Sequence, residues 1–271
     1  MTDNPVAIVT GASSGIGMET ALALARRGYS LVLAARRAER LEEAAARCRR
    51  CGAPEALALP TDVAVESQVD ALVARAVEEF DRIDVMVNNA GFGQFARAVE
   101  TTDAEMRAIF HTNFFGVFYG CKAVAPIMIR QRSGHIFNVS SIIGKRGTPF
   151  HGAYCATKFA VCGLTESMRV ELAPHNVRVT LVCPALTATE FFEHSPRGRP
   201  ARSSFQRFKG VMPAQAVGRR IAATAGKSKP ELVFTAGGRL LALISAIWPG
   251  AADWMMGVYY RDLLRKLGES P

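Results

Sequence analysis

The sequence predicts a doubly wound α/β fold: one parallel seven-stranded sheet with helices on both faces. Three observations predict it. Seven short apolar runs recur along the chain, amphipathic stretches of crossover length lie between them, and a glycine-rich turn joins the first run to the first helix. With 271 residues, 49% hydrophobic and 21% charged, the chain suits a single domain over 1–271 and excludes extensive disorder.

The runs fall at 6–10, 30–35, 56–60, 83–88, 134–140, 177–183 and 231–235. The first is followed by a predicted helix over 18–27. The clearest helical stripe is Val69, Leu72, Val73, Ala76, Val77 and Phe80, at i, i+3, i+4, i+7, i+8 and i+11. Strands alternating with helices imply parallel pairing, and right-handed crossovers then wind the sheet both ways, with ligands at the carboxyl ends of the strands. No internal repeat or low-complexity tract appears.

Two stretches break this rhythm. Residues 186–212 are irregular, basic and aromatic (Phe191, Phe192, Phe205, Phe208), which reads as a substrate loop over the active face. Residues 239–267 read as an apolar C-terminal helical segment, and 240–260 carry only the charge of Asp253. About twenty apolar residues can span a bilayer, but Pro249-Gly250 interrupts this run. A subunit interface or core helix is the first expectation, and shallow membrane contact the second.

Lys and Arg total 33 against 24 Asp and Glu, a net charge of +9. That excess suits phosphate-bearing ligands, acidic partners or an anionic surface. Part of it is concentrated in Arg197, Arg199, Arg202, Arg207 and Lys209. No zinc-finger or RNA-binding motif accompanies it, so no nucleic-acid partner is expected. The six cysteines do not form a disulfide framework, and Cys48-x-x-Cys51 has no second pair at zinc spacing, so no metal site is expected. Five residues before the first apolar run leave no room for a cleavable signal peptide, so a reducing, cytoplasmic setting is expected.

The turn reads Thr10-Gly11-Ala12-Ser13-Ser14-Gly15-Ile16-Gly17. Its glycines permit a tight turn and let backbone N–H groups approach a pyrophosphate, while the following helix adds the positive end of its dipole. Gly11, Ser13, Ser14, Gly15, Ile16 and Gly17 are therefore candidate cofactor contacts in a Rossmann-type fold. A carboxylate about twenty residues on would bind a ribose 2′-hydroxyl, whereas arginine suits the 2′-phosphate of NADP. Here the second strand ends in Ala34-Ala35-Arg36-Arg37, and the first acid is Glu39. NADP is favoured over NAD, with Arg36 the preferred contact; the plainer reading makes both arginines the solvated start of the next helix.

Ser140-Ser141 ends a strand, and Tyr154-x-x-x-Lys158 follows on a predicted helix, where i, i+4 spacing sets both residues on one face. A free tyrosine has a pKa of about 10. A nearby lysine cation favours the phenolate and lowers that value, and a serine hydroxyl can bond an oxygen on which charge develops. Alone, such a spacing is common on helix surfaces.

Together these residues resemble the short-chain dehydrogenase/reductase family, and the likeness runs to about residue 190. The turn, Asp62-Val63, Asn88-Asn89-Ala90-Gly91, Asn113, Ser141, Tyr154 and Lys158 stand in family order. Ser141 rather than Ser140 precedes the tyrosine by the family's thirteen positions. The resemblance implies that Asp62 and Val63 hold the adenine and that Asn89, Ala90 and Gly91 line the cofactor cleft. It implies too that Lys158 bonds the nicotinamide ribose, with Tyr154 beside it among the cofactor contacts, and that Asn113 positions a water for proton relay. Where the family has Pro-Gly and then a threonine for the nicotinamide amide, this chain has Pro184-Ala185 and Thr189, and lacking that glycine bears on the local loop geometry. Ser14 stands where many NADP users carry a basic residue.

The implied reaction is hydride transfer between the nicotinamide and a carbonyl or alcohol carbon, with Tyr154 giving the oxygen its proton and Ser141 steadying the alkoxide. Substrate contacts are expected from 93–95, 142–150 and 186–212, whose aromatics point to an apolar ketone, aldehyde, lipid, steroid-like or acyl compound, or else pack the loop onto the core. By resemblance, helices near 104–131 and 152–174 pair subunits into a homodimer or homotetramer. A non-catalytic NADP-binding regulatory or scaffold protein is the rival reading. The set Asn113, Ser141, Tyr154 and Lys158 argues against it.

Overall fold

The computed structural model describes residues 4–188 and 211–268. The strands are β1 (Val6–Thr10), β2 (Ser30–Ala35), β3 (Ala56–Pro60), β4 (Val85–Asn88), β5 (Gly134–Val139), β6 (Val177–Cys183) and β7 (Glu231–Val233). They form one parallel sheet in the order β3-β2-β1-β4-β5-β6-β7. Ile8 pairs with Val32 on one side and with Met86 on the other. The chain winds outward from β1 to β3, then returns to β4 and winds the opposite way. The crevice at this switch point, beyond the carboxyl ends of β1 and β4, is where such a sheet takes a ligand.

Two apolar layers sandwich the sheet because successive side chains of a strand point to opposite faces. Ala7, Val9, Leu31, Leu33, Val85, Val87 and Phe137 pack against α1 (Gly15–Ala25), α2 (Ala38–Arg50) and α7 (Ala214–Thr224). Ile8, Val32, Met86, Ile136 and Leu181 face α3 (Glu66–Phe80), α5 (Gly116–Gln131) and α6 (Gly152–Leu172). Each fully buried Leu, Ile or Phe contributes about 1.5–3 kcal/mol. The predicted stripe of α3 buries Val69, Leu72, Val73, Ala76 and Phe80, with Val77 half-buried, and the helix stops at Asp81 in the left-handed region.

Several predicted boundaries move. The first helix runs over 15–25 rather than 18–27, because Ser14 is already its extended N-cap. Strand β4 starts two residues late: the Ile83 N–H donates to Gln131 Oε1 (3.0 Å), not to a neighbouring strand. Strand β7 ends at Val233, and Thr235 instead caps α8 (Ala236–Ile247), accepting from the Gly238 N–H at 3.1 Å.

Between α4 (Asp103–Phe110) and α5, residues His111–Phe115 form one π-helical turn, a device that re-aims side chains inside a continuous helix. The run 103–131 is long and apolar enough to cross a membrane by length and composition alone. Its Val117, Cys121, Val124 and Met128 are buried in the core.

The apolar C-terminal stretch breaks at Trp248, whose non-helical backbone (φ -138°, ψ 72°) joins α8 to α9 (Pro249–Leu267) with Pro249 at the helix start. Leu263 and Leu264 of α9 bury themselves with Phe150, beside Phe95 and Tyr260. Most of the predicted substrate loop lies outside the described residues; its ends pair as Thr187–Ala188 with Met212–Pro213.

Candidate active site

The crevice at the switch point holds a cavity of about 450 Å³. At one end, Gly11 and Gly15 take φ of +65° and +55°, values that side-chain-bearing residues adopt at a cost. Gly17 does not line the cavity; a Cβ there would collide with the Gly11 carbonyl, so its role is to let α1 pack against the turn. Ser13, Ser14, Ile16, Gly11 and Gly15 do line it, and α1 has no acid in its first turn to oppose an anion.

The loop after β4 is stitched to this turn. Asn89 Nδ2 donates to the Thr10 carbonyl (2.9 Å), and the Asn89 and Ala90 N–H groups donate to Thr10 Oγ1 (2.9 and 3.1 Å). Asn89, Ala90 and Gly91 all line the cavity. So do Asp62, whose Oδ1 accepts from the Ala64 N–H at 3.0 Å, and Val63, which is buried against Gly116.

The two arginines after β2 differ. Arg36 lines the rim and is exposed, whereas Arg37 Nη2 donates to Ser13 Oγ (3.2 Å) and Ser14 Oγ (3.1 Å). Sequence spacing favoured Arg36; nothing in the sequence reveals that Arg37 folds back onto the turn.

At the other end, α6 presents Tyr154 and Lys158 one helical turn apart, both buried. The Tyr154 hydroxyl is hydrogen-bonded to Ser141. Lys158 Nζ lies 5.6 Å from the Tyr154 ring centroid and donates to the Val139 carbonyl at 2.8 Å. Ser140 turns elsewhere: its hydroxyl donates to the Lys158 carbonyl at 2.9 Å, a helix contact that leaves Ser141 facing Tyr154.

Burial reverses the electrostatic expectation drawn from the i, i+4 spacing. Loss of water pushes the Tyr154 phenol up, with the Ser141 bond pulling the other way, and brings Lys158 down to about 8. The ammonium is hydrogen-bonded to a backbone carbonyl and not to the phenol, so desolvation outweighs charge attraction.

Asn113 sits in the π-helical turn, fully buried behind the cleft wall and not lining it. Its Oδ1 accepts from the Phe92 N–H (2.9 Å), and its Nδ2 donates to the Phe92 carbonyl (2.9 Å) and to Thr157 Oγ1 (3.4 Å). It fixes the wall between Gly91 and α6.

Pro184 lines the cleft, and its carbonyl accepts from the Ile142 N–H at 3.0 Å. Ala185, in the family's glycine position, has no positive φ, so the substitution brings no backbone strain. Thr189 lies outside the described residues; Thr187 lines the cleft, its hydroxyl donating to the Ala185 carbonyl at 2.8 Å. His151 and Tyr259 were missed by sequence reading. His151 is held neutral by burial, with Nδ1 3.0 Å from the Gln94 carbonyl oxygen, and Tyr259 reaches the cleft from α9. Only its place three residues before Tyr154 hints at His151; no motif points to Tyr259.

A family model described as short chain dehydrogenase matches residues 5–199. An uncharacterized oxidoreductase of Staphylococcus saprophyticus is 36% identical over 80% of this chain and 87% of its own. The 3-oxoacyl-[acyl-carrier-protein] reductase of Synechocystis sp. is 38% identical over 70% of this chain and 76% of its own. Among solved structures, levodione reductase superposes with a TM-score of 0.80 at 30% identity, covering 86% of this chain and 96% of that one. An alcohol dehydrogenase from the archaeon Thermococcus sibiricus, complexed with 5-hydroxy-NADP, superposes with a TM-score of 0.75 at 31% identity, covering 85% and 95%. Sheet order, cleft and likeness agree: the chain belongs to the short-chain dehydrogenase/reductase family and is an NAD(P)-dependent oxidoreductase.

Proposed function

We propose that the protein is an NADP(H)-dependent oxidoreductase acting on an apolar carbonyl or alcohol. The observation that carries the cofactor choice is the Arg37 guanidinium seated on Ser13 and Ser14, with Arg36 beside it and no carboxylate at the end of β2. Both arginines suit a phosphate, and the glycine cradle of Gly11 and Gly15 suits a pyrophosphate. Asp62 and Val63 would hold the adenine, Asn89 to Gly91 the middle of the cofactor, and Lys158, Pro184 and Thr189 its nicotinamide end. Bound there, the cofactor supplies or accepts a hydride.

The chain's own groups handle the proton. Burial keeps the proton on Tyr154 Oη at neutral pH, ready for an oxygen on which negative charge develops. Ser141, already bonded to that phenol, is placed to donate to the same oxygen. Lys158 near 8 stays mostly cationic at pH 7 and stands one helical turn from the phenolate that remains after transfer. Asn113 holds the Phe92 wall and Thr157 on α6, which positions this set.

Phe92, Ile142, Ile143 and Tyr259 line the substrate end, which supports an apolar compound. The names of the similar 3-oxoacyl-[acyl-carrier-protein] reductase and levodione reductase denote oxo and dione substrates and support a ketone. Pairing through α4–α5 and α6 into a homodimer or homotetramer is supported by the exposed Phe118, Phe159 and Val170. Six cysteines without a disulfide support a reducing, cytoplasmic setting. We take 1–271 as one domain because α9 packs on Phe150 beside the cleft.

Fluorescence titration with NADPH and NADH tests the cofactor choice: NADPH should bind at least tenfold tighter, and equal affinity overturns it. Loss of NADPH absorbance with a panel of apolar ketones tests the reaction, and inactivity across the panel overturns the substrate class.

A further inference from the structure

Helices α8 and α9, joined at Trp248, each leave an apolar stripe exposed among the described residues. On α8, Leu240, Leu243 and Ile247 recur at i, i+3 and i+7, forming one exposed stripe. On α9, Trp254, Val258, Arg261 and Arg265 recur at i, i+4, i+7 and i+11, a second exposed stripe that is apolar near the bend and cationic beyond it. Trp248, at the bend, and Trp254 are the chain's two tryptophans; they are 70% and 69% exposed. The two carboxylates of α8 and α9 are both ion-paired, Asp253 with Arg146 and Asp262 with Lys266, leaving Arg239, Arg261 and Arg265 in excess.

We propose that these two helices, bend first, dock the enzyme on an anionic bilayer surface. Three features favour lipid over a second copy of the chain. The apolar tip passes into arginines over about 10 Å of helix, the depth over which a membrane passes from acyl chains to charged headgroups. Exposed tryptophans beside an apolar tip suit the membrane–water boundary. A second copy would carry the same net charge of +9 and, in a twofold interface, set basic stripes near one another.

The bend dips into the surface, and neither helix crosses the bilayer. Helix α8 has 12 residues, about 18 Å, short of a hydrocarbon core of about 30 Å, and α9 carries Asp253, Arg261, Asp262, Arg265 and Lys266. Roughly a third of a turn around α9 from its stripe, Tyr259 lines the cleft together with Tyr154 and His151. Docking therefore sets the mouth of the cleft close to the bilayer, where an apolar carbonyl compound concentrates. That second step rests on the oxidoreductase reading; docking itself does not.

Both tryptophans report on the event. Wild-type protein should co-float with phosphatidylcholine/phosphatidylserine vesicles, its tryptophan emission should shift to the blue, and 0.5 M salt should weaken binding at least fivefold. Leu243→Glu/Ile247→Glu and Arg261→Glu/Arg265→Glu should each lower vesicle affinity at least tenfold while leaving NADPH turnover of a water-soluble ketone unchanged. Unshifted emission with excess vesicles overturns the proposal. So does a wild-type dimer in sedimentation that the Leu243→Glu/Ile247→Glu variant dissociates while neither protein floats. Flotation without turnover of any ketone leaves docking standing and removes the substrate-delivery step.

Discussion

Lys158 holds its ammonium 5.6 Å from the Tyr154 ring centroid, yet donates its hydrogen bond to the Val139 carbonyl at the end of β5. The lysine is thus tied to the sheet, and the tyrosine to Ser141. With Lys158 brought down to about 8, its charge is lost as pH rises through that value. If the cation stabilises the phenolate left by proton transfer, carbonyl reduction should be level below pH 7 and fall above about 8. Stopped-flow measurement of the reductive step at saturating cofactor, from pH 6 to 10, checks this. A profile flat to pH 10 removes Lys158 from that role.

Tyr154→Phe deletes one oxygen in a buried, packed position and leaves the cofactor end untouched. Turnover should drop by about 10³-fold or more, in the upper range for general acid–base groups. Binding of NADPH should stay within about threefold, because the ring remains in place. Single-turnover assays with parallel titrations separate these effects, and near-wild-type turnover would sink the acid/base assignment.

Arg37 and Arg36 are separable by the same logic. Charge-assisted hydrogen bonds contribute roughly 1.5–3 kcal/mol each. Arg37→Ala should therefore weaken NADPH by roughly 10- to 100-fold while changing NADH less than about threefold. Arg36→Ala, at an exposed position, should show the same selectivity with a smaller loss. Equal losses of both cofactors in Arg37→Ala would mean that it only braces Ser13 and Ser14.

What the sequence made legible follows the reach of its periodicities. The bounds of β1, the alternation of strand and helix and the buried stripe of α3 depend on local burial, and local spacing carries them. Tyr154, Lys158 and Ser141 converge because a strand end and one helical turn dictate their positions. The break at Pro249 was likewise readable from a single residue that cannot continue a helix. Contacts across long separations were not readable. Tyr259 reaches the cleft only because Leu263 and Leu264 dock on Phe150, and Asn113 turns to Phe92 because a π-helical turn interrupts α4–α5. The direction of the Tyr154 shift was also hidden, since spacing shows a neighbouring charge but not how much water both groups lose.

Gly17 offers a test of the cradle that avoids the charged groups. A Cβ there would meet the Gly11 carbonyl and Asn89 Nδ2, the two groups that shape the turn. Gly17→Ala should push α1 off the turn, lowering stability by about 1–3 kcal/mol as other overpacked sites do. It should also weaken both NADPH and NADH by tenfold or more. Urea unfolding and cofactor titration read the two effects, and unchanged affinity for both cofactors would show that the turn does not hold the pyrophosphate.

His135 predicts the acid side of the stability curve. It is buried on β5, stacked on Phe137 with ring centroids 3.9 Å apart. Its Nδ1 accepts from the Gly226 N–H at 3.2 Å, so Nε2 carries the proton and donates to Thr180 Oγ1 at 2.8 Å. Burial, with the Arg178 charge nearby, brings its pKa down to about 3 from 6.5. Between those values the unfolded chain binds a proton that the folded one refuses, so stability rises with pH across this window and is lost as pH falls below 6.5. The slope from this group should approach about 1.4 kcal/mol per pH unit near pH 5. Substitution by a residue that does not titrate, His135→Gln, should be less stable at pH 8 through the lost stacking yet flatter between pH 6.5 and 4.5. Urea unfolding at half-unit pH steps compares the two slopes; a variant that parallels the wild type would assign the acid sensitivity to other groups.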